Sequence, residues 1–234
     1  MGGGLLAGTP RNKGKMMTQR QIGSITKTIC LALIIAGAAI QGVWAVNAGH
    51  HDYELEIIKS ERMLLLKRGT KIEKVFRIAS GRGGSGDKHY RGDHRTPVGT
   101  YRVVKIKRSS RFHTFLQLNY PNVKDAFYGL RGRMISEYDF DRIVSAQKYH
   151  KIPPQNTALG GAIGIHGIGA PTPQKWDIHQ NVNWTEGCIA LTNEQIDSLR
   201  QHVGIGTKVV IAETLASSKS SLSQVPARIR IVKR

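Results

Sequence analysis

Between Tyr53 and Ala79 the sequence YELEIIKSERMLLLKRGTKIEKVFRIA breaks into three short runs rich in Ile, Leu and Val, separated by Lys59-Ser60-Glu61-Arg62 and by Arg68-Gly69-Thr70. Strand-length runs joined by turn residues commit this part of the chain to an antiparallel β-meander. A helix through the same stretch would need a continuous amphipathic stripe, which Gly69 interrupts. The same texture returns at about Gly99–Ile106, Thr114–Leu118, Leu159–Gly167, Gly187–Leu191 and Thr207–Ala212. The Gly-rich segment Ser80–Tyr101 lacks the GxxxxGK[ST] pattern at a strand-to-helix junction, and Pro97-Val98-Gly99 leads into a strand. It therefore predicts the rim of a cleft and not a phosphate cradle. Helical spacing at Phe140, Ile143, Val144 and Tyr149, with Ser136 or Asp139 as N-cap and Pro153-Pro154 beyond, predicts a helical insertion near 134–151. Asn193–Leu199 predicts a short helix near the C-terminus. The expected fold is mainly β.

At the N-terminus, Thr28–Val46 is uncharged, follows basic residues ending at Lys27, and leads to Val46-Asn47-Ala48. A basic region, an apolar region and a small-x-Ala exit predict an export signal over residues 1–48, with cleavage after Ala48; an uncleaved membrane anchor is the alternative. The main folded domain is then expected over 49–215, with a basic tail over 216–234. Export to the periplasm or cell envelope makes the cysteine count informative. Of the two cysteines, Cys30 leaves with the leader and Cys188 remains as a lone thiol unable to form an internal disulfide.

Lys and Arg outnumber Asp and Glu by 35 to 16, a formal net charge of +19. The charge is spread along the chain without a basic helical face or an aromatic-interleaved ribonucleoprotein motif, so no nucleic-acid partner is expected. Anionic envelope polymers suit it better, and contact with the membrane is expected only through an uncleaved leader. His50-His51 and His89 with His94 raise a metal reading, but one mature cysteine and no tight ligand cluster argue against structural zinc.

Nucleophilic cysteine catalysis needs a thiolate, an imidazole to take and return its proton, and N–H groups aimed at the developing oxyanion. Cys188 follows Gly187, where a missing side chain permits close approach of substrate, and His166 lies between Ile165 and Gly167 at the end of a short run. The bland alternatives are a buried structural thiol and a satisfied strand histidine. A papain-like peptidase would place its cysteine before its histidine, the reverse of this order.

His166-Gly167 followed by Thr185-Glu186-Gly187-Cys188-Ile189-Ala190-Leu191-Thr192-Asn193 resembles the signature of the L,D-transpeptidase catalytic domain of YkuD type. Gly86-Asp87-Lys88, Gly92-Asp93, Thr96–Tyr101 and Leu118-Asn119-Tyr120-Pro121-Asn122 are similar to other recurrent stretches of that family, so the likeness spans about 53–212. The resemblance implies an L,D-transpeptidase-type β-sandwich or barrel with the helical insertion and short C-terminal helix. It implies that Cys188 attacks the carbonyl between diaminopimelate and D-alanine of a peptidoglycan stem tetrapeptide, with His166 as base and no cofactor or metal. The thioacyl enzyme then passes to an amine, or to water in a carboxypeptidase or amidase of the same fold. An envelope protein or lipoprotein is a further candidate acceptor or substrate, and a non-catalytic peptidoglycan-binding module is the remaining class.

By the same resemblance the Gly187 and Cys188 N–H groups form the oxyanion hole, Thr185 and Glu186 shape the loop, and the Cys–His pair depresses the thiol pKa. Gly167, Asn193, Trp184, Tyr120 and His179 are candidate substrate-binding residues. The chain departs from many members in carrying Glu186 in place of His and Ala190 in place of Arg. Arg82, Arg91, Arg95, Arg131 and Arg133 are candidates for the substrate carboxylate in its stead.

Overall fold

The computed structural model describes Met1 and residues 52–217. Apart from Met1 the expected leader, and all but the first two residues of the basic tail, lie outside the described residues. The meander forms as its turn chemistry dictates: β1 (Tyr53–Ile58), β2 (Met63–Arg68) and β3 (Lys71–Arg77) pair antiparallel in sequence order. Alternate residues Leu55 and Ile57 of β1 and Leu64 and Leu66 of β2 turn one face into the main core, where Phe76 and Ile78 join them.

The remaining strands are β4 (Gly99–Ser109), β5 (His113–Leu118), β6 (Gly164–Gly167), β7 (Ile189–Leu191) and β8 (Lys208–Ala212). Together they make one eight-stranded sheet in the order β3-β2-β1-β8-β4-β5-β6-β7. Its two ends approach each other. Ala79 just beyond β3 exchanges backbone hydrogen bonds with Ala190 of β7 at 3.1 and 2.8 Å, and Gly81 bridges to Thr185. The sheet is thus a nearly closed barrel that removes most of its own free edge. It is not wholly antiparallel: β1 runs parallel to β8, and β6 parallel to β7.

Among the described residues, four α-helices decorate the barrel. α1 (Val123–Arg131) starts on a capping box between Asn122 and Asp125, and α2 (Glu137–Lys148) starts on Ser136, one of the two expected caps. The two helices pack through Ala126, Ile135, Ile143 and Leu159, a small core separate from that of the barrel. The predicted insertion is therefore a helix pair beginning at Val123. A third helix, α3 (Pro173–Asn181), which the sequence did not predict, lies between His166 and Thr185, capped by Thr172 with Pro173 at its first turn. The expected C-terminal helix is α4 (Asn193–Arg200), held by a Thr192–Gln195 capping box.

Candidate active site

His166 lies on β6, and Cys188 immediately precedes the neighbouring β7. His166 on β6 lies across from Ala190 on β7 and from Phe115 on β5. Cys188 stands two residues before Ala190. Because strand side chains alternate, that spacing directs Cys188 to the same sheet face as His166. Both line one cleft of about 660 Å³, whose walls include Arg82, Lys88, Arg91, Lys107, Arg111, Phe112, Phe115, Trp184, Thr185 and Glu186. The Gly-rich segment contributes Arg82, Lys88, Arg91, Gly92 and His94, so it forms the rim expected of it.

His166 is buried, and its Nδ1 lies 2.8 Å from the Gly167 carbonyl oxygen. A carbonyl only accepts, so Nδ1 carries the proton and Nε2 is left as the basic nitrogen. Aromatic rings enclose the imidazole: Phe112 at 4.4 Å between centroids, Phe115 stacked at 6.2 Å, and Trp184 edge-on at 6.0 Å. Desolvation in this box drives the imidazole pKa down to about 4, against the Gly167 hydrogen bond and with help from Arg111 and Lys175.

Cys188 is half-buried and its Sγ donates to the Ala162 carbonyl at 3.4 Å. No hydrogen bond joins the thiol to the His166 ring among the described residues. Desolvation pushes the thiol pKa up to about 11; a Gly164 backbone hydrogen bond opposes this and the Glu186 carboxylate reinforces it. The expected depression by the Cys–His pair is thus reversed. The reason is physical: a neutral imidazole engaged elsewhere supplies no positive charge to hold a thiolate.

The Thr185–Cys188 turn is built around one hydroxyl. Thr185 Oγ1 donates to the Cys188 carbonyl at 2.7 Å and accepts from the Gly187 N–H at 3.2 Å. Gly187 has a φ of 124°, and a Cβ there would stand 2.8 Å from the Arg95 carbonyl oxygen, so this position excludes a side chain. The engaged Gly187 N–H does not stand ready as the oxyanion donor anticipated from the sequence. Glu186 is exposed, with Arg82 at 3.5 Å.

Not every expected residue arrives at the cleft. Tyr120 is buried in the core, with its hydroxyl donating to the Leu159 carbonyl at 2.9 Å. Asn193 instead pins the chain beyond β6, its side chain bonding the Gly169 N–H and carbonyl at 3.1 and 2.8 Å. Gly167 packs against it, since a Cβ there would meet Asn193 Oδ1 at 2.6 Å. His179 is buried behind Trp184, whose indole N–H reaches its Nδ1 at 3.5 Å; desolvation lowers the His179 pKa to about 4. Trp184 does line the cleft. Among the candidate arginines, Arg82 and Arg91 line it and Arg95, Arg131 and Arg133 do not. Sequence reasoning missed Lys107, Arg111, Phe112 and Phe115. Their only early signal is the alternation of cationic and aromatic residues across the β4–β5 hairpin.

A profile of the L,D-transpeptidase catalytic domain (YkuD) matches residues 52–211. The chain belongs to this family. The Escherichia coli K12 protein YafK, which bears the L,D-transpeptidase name, is 31% identical over 87 residues, 35% of each chain. The match to that curated relative therefore spans about a third of its length. Among solved structures, Bd1075 of Bdellovibrio bacteriovorus is 18% identical with a TM-score of 0.45, over 72% of this chain and 50% of that one. The helical cell shape determining protein Pgp2 of Campylobacter jejuni is 19% identical with a TM-score of 0.44, over 72% and 52%. His166 and Cys188 both fall within the matched residues and line the same cleft.

Proposed function

We propose that the chain is a cysteine-dependent peptidoglycan L,D-transpeptidase that forms a thioacyl enzyme on stem tetrapeptides. One observation carries this reading: a thiol and an imidazole of fixed tautomer face one cleft from adjacent strands. In the first half-reaction Cys188 Sγ attacks the carbonyl carbon between diaminopimelate and D-alanine while its proton passes to His166 Nε2. The carbonyl electron pair moves onto oxygen, where the Cys188 N–H is the donor at hand. Collapse restores the carbonyl, breaks the C–N bond and sends the imidazolium proton to the departing amine of D-alanine. In the second half-reaction an amine attacks the thioester, gives its proton to Nε2, and the thiol re-forms.

The same intermediate serves hydrolysis when water replaces the amine, so the acceptor separates transpeptidase from carboxypeptidase or cross-link hydrolase. Export through residues 1–48 would bring the domain to its polymer, and an envelope protein is a further candidate acceptor. Among the described residues no helix is long and apolar enough to cross a membrane.

The test is incubation of the full chain with purified sacculi and tetrapeptide muropeptides, with products identified by mass. New 3→3 cross-links are expected; tripeptides alone would assign a carboxypeptidase, and loss of existing links a hydrolase. Cys188→Ala should release no D-alanine while keeping the wild-type circular dichroism spectrum. If the folded wild-type protein neither releases D-alanine nor gains the mass of a carbapenem, the catalytic reading fails in favour of a binding module.

A further inference from the structure

The cations of the cleft are not equivalent. Lys88 is buried against Asp93 at 2.6 Å, and Arg82 faces Glu186 at 3.5 Å. Arg91 spends its guanidinium on the Gln155 and Thr157 carbonyls at 3.3 and 3.1 Å. Arg111 and Lys107 have neither an ion pair nor a side-chain hydrogen bond among the described residues. Each rests on a ring that packs on the imidazole: the Arg111 guanidinium lies 4.9 Å over Phe112, and the Lys107 ammonium 5.5 Å over Phe115. Among the described residues, Arg111 is also the arginine whose charge acts on both His166 and Cys188.

Arg111 is exposed, but the hairpin that carries it is fixed. Gly169 lacks a Cβ where one would stand 2.1 Å from the Arg111 carbonyl oxygen, so the chain after β6 packs directly on the hairpin tip. His113 Nε2 lies 2.8 Å from Asp197 on α4, which ties down the far side. The guanidinium is therefore held near the catalytic pair with its donors unspent, a preorganised fork for a planar anion.

Resting on the thioacyl-transfer reading, we propose that Arg111, seconded by Lys107, is the specificity-determining cation that binds a substrate carboxylate flanking the attacked carbonyl. A stem tetrapeptide offers two such carboxylates, the terminal one of D-alanine and the free one of diaminopimelate. The chemistry is common to both: a charge-assisted, bidentate contact beside the nucleophile, absent when the carboxylate is an amide.

The experiment measures kcat/KM for D-alanine-amine release from the free tetrapeptide and from two analogues, one amidated at the terminal carboxylate and one at diaminopimelate. The full-length wild-type enzyme, Arg111→Gln and Arg111→Lys are compared. The wild type should prefer the acid over one of the two amides by about tenfold or more, the scale of a charge-assisted hydrogen bond. Arg111→Gln should collapse that preference toward one, chiefly through KM, and Arg111→Lys should restore part of it. The amide that the wild type discriminates against identifies the carboxylate. Equal acid-to-amide ratios in wild type and Arg111→Gln overturn the proposal, as does an equal loss on all three substrates, which would mark Arg111 as a packing residue of the imidazole. A wild type inactive on every substrate instead defeats the thioacyl-transfer reading itself.

Discussion

A thiol near pKa 11 beside an imidazole near 4 makes a sharp kinetic prediction for Cys188 in the substrate-free protein. Only the thiolate alkylates, and at pH 7 a thiol titrating four units higher is ionised in about one molecule in ten thousand. The second-order rate of iodoacetamide labelling, followed by intact mass, should climb about tenfold per pH unit from 6 to 10. A free cysteine, with its pKa of about 8.5, levels off well below that range's end. A preformed thiolate–imidazolium pair would give a high rate already flat above about pH 5. Two variants separate the causes. Glu186→Gln removes a carboxylate that opposes the thiolate and should shift the profile to lower pH. His166→Gln should leave the slope unchanged, because the imidazole it removes is neutral across the range. A wild-type plateau reached by pH 8 would refute the reasoning.

Three further outcomes follow from contacts elsewhere in the site. His166 and His179 are buried with pKa values near 4, below the ordinary 6.5, so between those values the unfolded chain binds more protons than the folded one. Their stabilisation is therefore complete above about pH 6.5 and lost as pH falls toward 4, by about 3 kcal/mol per imidazole, and urea midpoints at pH 7 and 4.5 should fall less in His179→Gln than in the wild type. Thr185→Ala removes the hydroxyl that serves both the Cys188 carbonyl and the Gly187 N–H; it should cost about 1–3 kcal/mol by urea denaturation and lower kcat, with Thr185→Ser retaining most of both. Asp93→Ala should destabilise by about 3–5 kcal/mol in the same assay, because the buried Lys88 ammonium would lose its carboxylate and the His89, Tyr90 and Arg95 N–H groups their acceptor.

How much of this was legible depended on whether a signal was local. β1 to β3 follow from turn residues and strand-length runs, and α2 and α4 from a cap followed by an apolar period. The union of Cys188 and His166 was legible only through ordered motifs. The parallel pairing of β6 with β7 that brings them together joins residues more than twenty positions apart and leaves no local trace. α3 escaped because its apolar residues Trp176 and Ile178 are exposed while its buried residue is His179, the inverse of an amphipathic stripe. α1 carries a readable Asn122–Asp125 capping box, but Tyr120-Pro121-Asn122 reads first as a turn. The thiol pKa was misjudged for a different reason: its sign depends on desolvation and on where His166 Nδ1 spends its proton, and neither is a property of sequence order.

A resting pair of neutral partners changes what the substrate must do. With the thiol protonated and bonded to the Ala162 carbonyl, and the imidazole ringed by Phe112, Phe115 and Trp184, the pair by itself offers little nucleophile. Oxidants and small electrophiles also act on the thiolate, so the arrangement that slows alkylation also slows oxidation of Cys188. In the proposed reaction, proton transfer from Cys188 to His166 becomes favourable only as carbon–sulfur bonding develops, since negative charge passes from sulfur to the carbonyl oxygen and never accumulates on a desolvated thiolate. On this view selectivity resides in the step that forms the acyl enzyme. A ligand that fills the cleft without presenting an electrophilic carbonyl to Sγ leaves the cysteine protonated and inert.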